Sequence, residues 1–553
     1  MVHDVQKRLT EVFANSKTWY GIGILALYIA LRALAWKNTT LLEGTDSTSY
    51  LRYITLFLDK PSVDQVINLD PDFSPFYPFF AALFSLPGWS PEIGARLCTF
   101  VFSIGLFFAV AGIGKRMAAR PTEIAIGLLL LCFTPVLISM SFSVLTEPSY
   151  LATIYLGLWL FLAQHKAPTL GKAALLGVVF GLSFLNRLEG IIFLAVIPFF
   201  QLLHYFLDKQ RSYNLKHFAV WTLVFSTVFV ALIAPQIWRV SEKMGSFALN
   251  GRQVYSIIMN NPDGKSLEEK LFGLDFSDSE TNIAHLRVHH EPVKIMAANI
   301  RPSQYAIRFL QNVSNFYRVD AAQLLGPLAI VFFAFGLMAM YLSGRLYEIL
   351  FSLTFIGATL VPPFLHAPMT VHVAMILPLV VLIAGTGIVY VSQTLLKGKG
   401  TRFWQHGVTS LSMLIVTVTI GLLAPPIVKA VISPPTFNDE YSLAEIEIPL
   451  KLVREITSNE LHRPPVIVGE RAYLARFSHA NQVYVPYTDM PRLIKYCELN
   501  NADFLYFSER RVNTHPFFAE YLKNGFPRNF VLVYSGLDAQ GAKVVLYRIR
   551  QER

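Results

Sequence analysis

Several short stretches of this chain carry residues whose types and spacing could do chemistry. The first is Glu43-Gly44-Thr45-Asp46-Ser47-Thr48-Ser49-Tyr50, directly after an apolar run. A carboxylate held at a helix start beside a bilayer can take a proton from an attacking hydroxyl or amine. Asp46 or Ser47 would also serve as the N-cap of a helix through 50–57, and both readings stand. Asp70-Pro71-Asp72-Phe73-Ser74-Pro75-Phe76-Tyr77-Pro78-Phe79 follows in the same loop. Phe76 and Tyr77 could line a pocket for a sugar or an acceptor. Aromatic residues at the bilayer interface would look the same.

The next stretch is Leu145-Thr146-Glu147-Pro148. Proline after the carboxylate starts a helix well, so Glu147 lies at a span end, near the membrane surface. In Leu185-Asn186-Arg187-Leu188-Glu189-Gly190, two charges interrupt apolar sequence. Arg187 and Glu189 either close a salt-linked turn or leave Arg187 to bind an anionic headgroup. The guanidinium fork can hold phosphate bidentately. His366 and His372 flank a proline-rich turn and could contact phosphate when protonated. His285 and His289 share a helical spacing, with His290 and Glu291 beside them, but no third ligand at a familiar metal spacing accompanies them.

Membrane spans must position these residues. Of the 553 residues, 53% are hydrophobic and only 15% are charged. About 25% charged is usual for soluble domains, so this composition excludes a disordered chain, a disulfide scaffold and most cytosolic enzymes. Apolar runs of spanning length fall near 19–36, 94–114, 122–142, 149–164, 172–187, 190–207, 217–237, 326–342, 347–365, 372–393 and 407–427, about eleven in all. The run at 76–86 is half a span and reads as interfacial or re-entrant. The first run is too long for a signal peptide's apolar region and no small-residue cleavage site follows it, so it reads as a span. Cys98 and Cys132 lie in apolar runs and Cys497 is alone, which gives no disulfide framework and no metal pair.

The net charge of +10 follows topology. Lys7, Arg8, Lys17, Lys115, Arg116, Arg120, Lys166, Lys172, Lys209, Arg211, Lys216, Arg345, Lys397, Lys399 and Arg402 all fall in the N-terminus or the even-numbered connections. The positive-inside rule places these in the cytoplasm. The expected fold class is therefore a polytopic α-helical membrane protein with its N-terminus cytoplasmic. Large extracytoplasmic loops are expected at 37–93 and 238–325, with a membrane domain at 1–429. Residues 430–553 read as a small extracytoplasmic α/β domain, with strands at 466–469, 482–486, 503–507, 530–534 and 543–549. Helices near 471–479, 489–499 and 516–524 separate the first four strands. Ser433-Pro434-Pro435 suits a linker.

No Walker loop, dinucleotide fingerprint or nucleophile elbow stands out, which argues against a soluble cytoplasmic nucleotide as donor. Taken together, the stretches resemble the GT-C superfamily of integral membrane glycosyltransferases. The likeness is to the branch of protein O-mannosyltransferases and lipid A aminoarabinose transferases. It covers about 1–395 and loosely the C-terminal domain. Thr45-Asp46-Ser47-Thr48-Ser49-Tyr50 is similar to the family's first-loop Asp-to-Tyr pattern. Ser74-Pro75-Phe76-Tyr77-Pro78-Phe79-Phe80 resembles its Pro-aromatic-Pro segment. Val144-Leu145-Thr146-Glu147-Pro148 resembles its second acidic position, and Phe184-Leu185-Asn186-Arg187-Leu188-Glu189-Gly190 its basic residue at a helix hairpin.

The resemblance implies transfer of a sugar from a polyisoprenyl-phosphate donor to an extracytoplasmic glycan, lipid or protein. Asp46 would be the catalytic base or the carboxylate that orients the acceptor, and Glu147 the second acidic residue. Arg187, with His372 behind it, would hold the donor phosphate. Tyr50, Phe76, Tyr77 and Glu189 would line the sugar or acceptor pocket. The chain has Ser47 where the family often has a second acid, and His372-Val373 where it often has Arg-Tyr. No metal and no other cofactor is expected, and no nucleic-acid partner. The expected location is a bacterial inner membrane with the active face periplasmic. A transporter or flippase of lipid-linked sugars, or a non-catalytic partner in envelope assembly, is the alternative.

Overall fold

Every apolar run of the sequence folds as helix in the computed structural model of the protein. The structure describes residues 16–38, 45–59, 73–207 without 118, 213–244, 247–249, 302–315, 324–365 without 325, 373–397, 401–432 and 443–550 without 462, 470–472, 510–511, 513–514 and 538–540. These fall into two units. One is drawn from 1–39, 74–235 and 301–435, the other from 40–73, 236–300 and 436–553.

The first unit is helical. Its elements are α1 Ser16–Asn38, then α3 Phe76–Ser85, α4 Pro91–Arg116, α5 Pro121–Cys132, α6 Pro135–Met140, α7 Glu147–Gln164, α8 Leu170–Asn186, α9 Phe193–Leu207 and α10 Leu215–Met244, whose part from Gln236 onward falls in the other unit. α11 Pro302–Asn315, α12 Pro327–Leu342, α13 Leu346–Leu365, α14 Leu377–Leu395, α15 Thr401–Leu422 and α16 Ala424–Ile432 follow. α2, Thr45–Asp59, belongs to the other unit.

Local chemistry sets the helix ends. At α4, Ser90 Oγ accepts from the Ile93 amide at 3.3 Å, Pro91 opens the helix, and Lys115 and Arg116 close it. That order of charge complements the helix dipole. Thr169 caps α8 through the Lys172 amide at 3.4 Å.

Among the described residues, four helical spans are long and apolar enough to cross a membrane: Pro91–Arg116, Leu188–Leu207, Leu215–Glu242 and Ala374–Leu395. A fifth counts if α15 and α16, bent by 63°, are one span. Several expected spans are shortened by breaks that hydropathy does not register. The run at 122–142 is two helices, α5 and α6, because Pro135 cannot donate to the preceding turn and Thr134 is extended. The half-span at 76–86 is the short helix α3, packed on α4.

The innermost helix is α14. Glycines let it approach its neighbours closely: a Cβ on Gly387 would lie 1.9 Å from the Phe332 carbonyl oxygen of α12. Tyr155 of α7 donates to the Met375 carbonyl at 3.0 Å and accepts from the Leu379 amide at 3.1 Å, so α7 grips the start of α14.

The second unit holds the C-terminal α/β domain. Its elements are α17 Leu443–Ile456, β1 Val466–Gly469, α18 Tyr473–Phe477, β2 Asn481–Val483, α19 Met490–Leu499, β3 Phe504–Ser508, α20 Phe518–Asn524, β4 Phe530–Leu537 and β5 Lys543–Ile549. The sheet order is β2-β1-β3-β5-β4. β1 is parallel to β2 and β3, and β5 runs antiparallel to β3 and β4. The alternation of strand residues buries both faces. Val468, Leu505, Phe507 and Val545 pack with α19 and α20, while Ile467, Phe504, Tyr506 and Leu546 pack with α17 and α18. Asp503 pins the sheet's entry: Arg463 reaches it with two bonds of 2.8 and 3.0 Å, and the Val466 amide donates to it at 2.8 Å.

Candidate functional site

The helical unit brings Glu147, Arg187 and Glu189 together. Glu147 opens α7, followed by Pro148. A carboxylate there meets the positive end of the helix dipole. The stretch before it, 141–146, is irregular and almost wholly buried among helices. Buried irregular backbone needs outside partners; Arg96 supplies one, and two further arginines bond side-chain hydroxyls of the stretch. Arg32 Nε donates to Ser141 Oγ at 2.9 Å, Arg96 Nη1 to the Phe142 carbonyl at 3.4 Å, and Arg187 Nη1 to Thr146 Oγ1 at 3.5 Å.

Arg187 stands where α8 stops. Its backbone is extended, with φ −149 and ψ 142, and the chain then coils into a short 3-10 turn, Leu188–Ile192. Gly190 makes this fold-back possible. A Cβ there would lie 2.5 Å from the Phe184 nitrogen. Asn186 Nδ2 donates to Ser149 Oγ at 2.8 Å, which ties the end of α8 to the first turn of α7. Ser149 Oγ also lies 2.8 Å from the Thr146 carbonyl oxygen.

The arginine joins two carboxylates. Nη1 donates to Glu147 Oε1. Nη2 donates to Glu189 Oε1 at 3.0 Å and Nε to Glu189 Oε2 at 3.4 Å, so Glu189 occupies one whole edge of the fork. The Tyr150 ring lies 6.0 Å from the guanidinium carbon. The side chains of Arg187 and Glu147 are 10% and 8% exposed, against 30% for Glu189. Among the described residues, one guanidinium stands against two carboxylates. Glu147 Oε2 is buried without a hydrogen-bond donor. That oxygen can accept from a hydroxyl or amine.

The other expected residues are not part of this cluster's hydrogen bonds. Asp46 and Tyr50 belong to the second unit. α2 begins at Thr45, so neither Asp46 nor Ser47 is the N-cap; both lie in the first turn, and Ser47 is buried. Tyr50 and Tyr53 each pack on Phe73 at 5.3 Å between ring centroids. Arg239 Nη2, from the far end of α10, donates to the Phe73 carbonyl at 3.4 Å. Phe76 and Tyr77 are buried in the packing of α3 on α4, where Tyr77 donates to the Ala95 carbonyl at 3.4 Å and Phe76 meets Phe102 at 5.9 Å. His372, with His366, His285, His289, His290 and Glu291, lies outside the described residues.

Sequence reading missed Arg32, Arg96, Asn186 and Ser149. The signal was present for the first two: a basic residue inside an apolar run stays there only with buried polar partners.

This fold is shared with solved structures of GT-C membrane glycosyltransferases. The chain is similar to the oligosaccharyltransferase AglB of Archaeoglobus fulgidus in complex with an inhibitory peptide and a dolichol-phosphate. The TM-score is 0.60 at 12% identity, over 96% of this chain and 74% of that one. It is also similar to ArnT of Cupriavidus metallidurans in the apo state, with a TM-score of 0.56 at 12% identity, over 95% of this chain and 98% of that one. ArnT bound to undecaprenyl phosphate gives 0.53 at 11% identity, covering 97% and 98%. No protein-family model matches the chain, and no curated protein matches it.

Proposed function

We propose that this protein is a membrane glycosyltransferase that moves a sugar from a polyisoprenyl phosphate to an extracytoplasmic acceptor, inverting the anomeric carbon. The observation that carries the reading is the Glu147–Arg187–Glu189 cluster, set at a broken helix end in a GT-C fold. The similar structures were solved with dolichol-phosphate and an inhibitory peptide, and with undecaprenyl phosphate, which supports a lipid-phosphate donor and a separate acceptor. The reading takes about eleven spans with the N-terminus inside. It puts the active face on the periplasmic side of a bacterial inner membrane, and divides the chain at about residue 430.

In this mechanism the acceptor oxygen or nitrogen attacks the anomeric carbon. The bond from that carbon to the phosphate oxygen breaks, and its electron pair leaves with the lipid phosphate. Asp46 takes the proton of the nucleophile. Glu147, with its free oxygen, orients the acceptor or the sugar. Arg187 stabilises the charge that develops on the leaving phosphate, with His372 as a second cation. Ser47 beside Asp46 removes the acidic pair a metal would want, so the proposal is metal-free and activity should survive chelator.

The test is mass spectrometry of envelope lipids, glycans and proteins from null cells. The cells are complemented with wild type, Asp46→Asn or Glu147→Gln at matched expression. A sugar-mass modification should appear with wild type and fall by at least about 100-fold with either variant. Equal modification by wild type and both variants would sink the assignment.

A further inference from the structure

The edge of Arg187 that best fits a phosphate is already filled. Glu189 holds Nε and Nη2 together at 3.4 and 3.0 Å, a side-on bidentate pairing. A phosphate reaching that edge must displace a carboxylate, because two anions cannot share it without strong repulsion. Of the two carboxylates on Arg187, Glu189 is the one able to leave. Its side chain is 30% exposed and sits on a one-turn 3-10 segment, two residues from the arginine. Glu147 is 8% exposed and lies at a helix start that favours its charge.

We propose that Glu189 competes with the lipid phosphate for Arg187, and that this competition drives release of the spent carrier. The inference rests on the reading of Arg187 as the phosphate contact. Its logic is one of charge. The donor phosphate is a diester with one negative charge. Transfer breaks the bond between the sugar and the phosphate oxygen, and the carrier becomes a monoester approaching two negative charges. An arginine aimed at the transition state would hold that product more tightly than the donor, and turnover would stall on release. Glu189 waits within two residues to re-form its pairing, so the product leaves against a resident competitor. The acidic surroundings of Arg187, which look unsuited to an anion site, then serve its emptying.

The experiment measures binding of undecaprenyl phosphate to the purified full-length protein in nanodiscs. It compares wild type with Glu189→Gln, Glu189→Asp, Arg187→Gln and the double variant Arg187→Gln/Glu189→Gln, each checked by thermal unfolding. Glu189→Gln should bind about tenfold more tightly and release the lipid more slowly, as expected when a charged competitor for an arginine is removed. Glu189→Asp should stay near wild type. The double variant should bind like Arg187→Gln, because the gain acts through the arginine. Glu189→Ala gives the same comparison through a second side chain should Glu189→Gln fail to fold. Unchanged affinity in Glu189→Gln and Glu189→Ala, with weakened binding in Arg187→Gln, overturns the competition and leaves the donor reading standing. A folded wild type that does not bind undecaprenyl phosphate overturns the donor reading itself.

Discussion

Arg187 is the residue on which the helical unit's polar chemistry turns. Its partners come from different places: Glu147 is forty residues away in sequence and Glu189 only two. Removing the arginine alone leaves two carboxylates facing each other in a buried setting. Arg187→Met should cost about 3–5 kcal/mol, the usual scale for breaking a buried pair from one side. Adding Glu147→Gln and Glu189→Gln to Arg187→Met should restore most of it, measured by thermal unfolding in detergent. A triple variant as unstable as the single one would show that the carboxylates are not the source of the loss. Each of these residues stood out in the sequence as a charge in apolar surroundings. Their mutual pairing did not, because no periodicity links the start of α7 to the end of α8. Arg32 and Arg96 went unread for a related reason: hydropathy averages a lone arginine into its apolar neighbours.

At the scale of elements, the fold-back at the end of α8 places Arg187. That turn depends on Gly190, whose hydrogen atom faces the backbone of Ser183 and Phe184. Gly190→Ala must push the 3-10 turn away from α8, moving Arg187 and Glu189 with it. We expect lower thermal stability, by roughly 1–3 kcal/mol for the induced strain, and loss of the modification in cells. The same change at Gly171, with open space around its position, should be silent in both assays. The sequence marks Gly190 only as a break between apolar runs. The apolar helices were legible, since apolar length alone predicts them in a bilayer, while the more polar α11 and α17 went unread. Interruptions of the apolar helices were not legible: the break at Phe133–Thr134 and the bend at Leu423 follow from Pro135 and Pro425-Pro426, which a span-length window passes over. In the C-terminal domain the strands at 466–469 and 543–549 were readable residue for residue. β2 runs from Asn481 and stops at Val483 rather than running to Pro486.

On the scale of the whole molecule, all three cysteines are buried. Burial pushes the Cys497 thiol up to about 12, so at neutral pH it is protonated and shielded. The native protein should therefore resist a maleimide, and reaction should appear only after unfolding. Rapid labelling of Cys497 in the folded chain would contradict its place in the sheet's core. The wild-type chain is thus a quiet background for mapping sidedness. Cysteines placed at Lys166 and Lys397 should be shielded from an impermeant maleimide in intact cells, and one at Lys523 should be open to it. Labelling in the reverse order would overturn the orientation read from the lysines and arginines. The burial of α14 has a last consequence, for biogenesis. Of its most apolar 18-residue stretch, 89% is buried inside the protein, so little of it ends up facing lipid. The ribosome nevertheless makes it after α4, α5, α7 and α12, four of the helices it touches, and before α15, whose Ser412 bonds its Ser392. Those earlier helices cannot close on one another while they wait. They must hold an open slot, or part again, when the late helix arrives. A nascent chain paused before residue 374 exposes the glycine-lined groove meant for α14, and it is in that interval that the growing protein most needs an insertase or chaperone at its side.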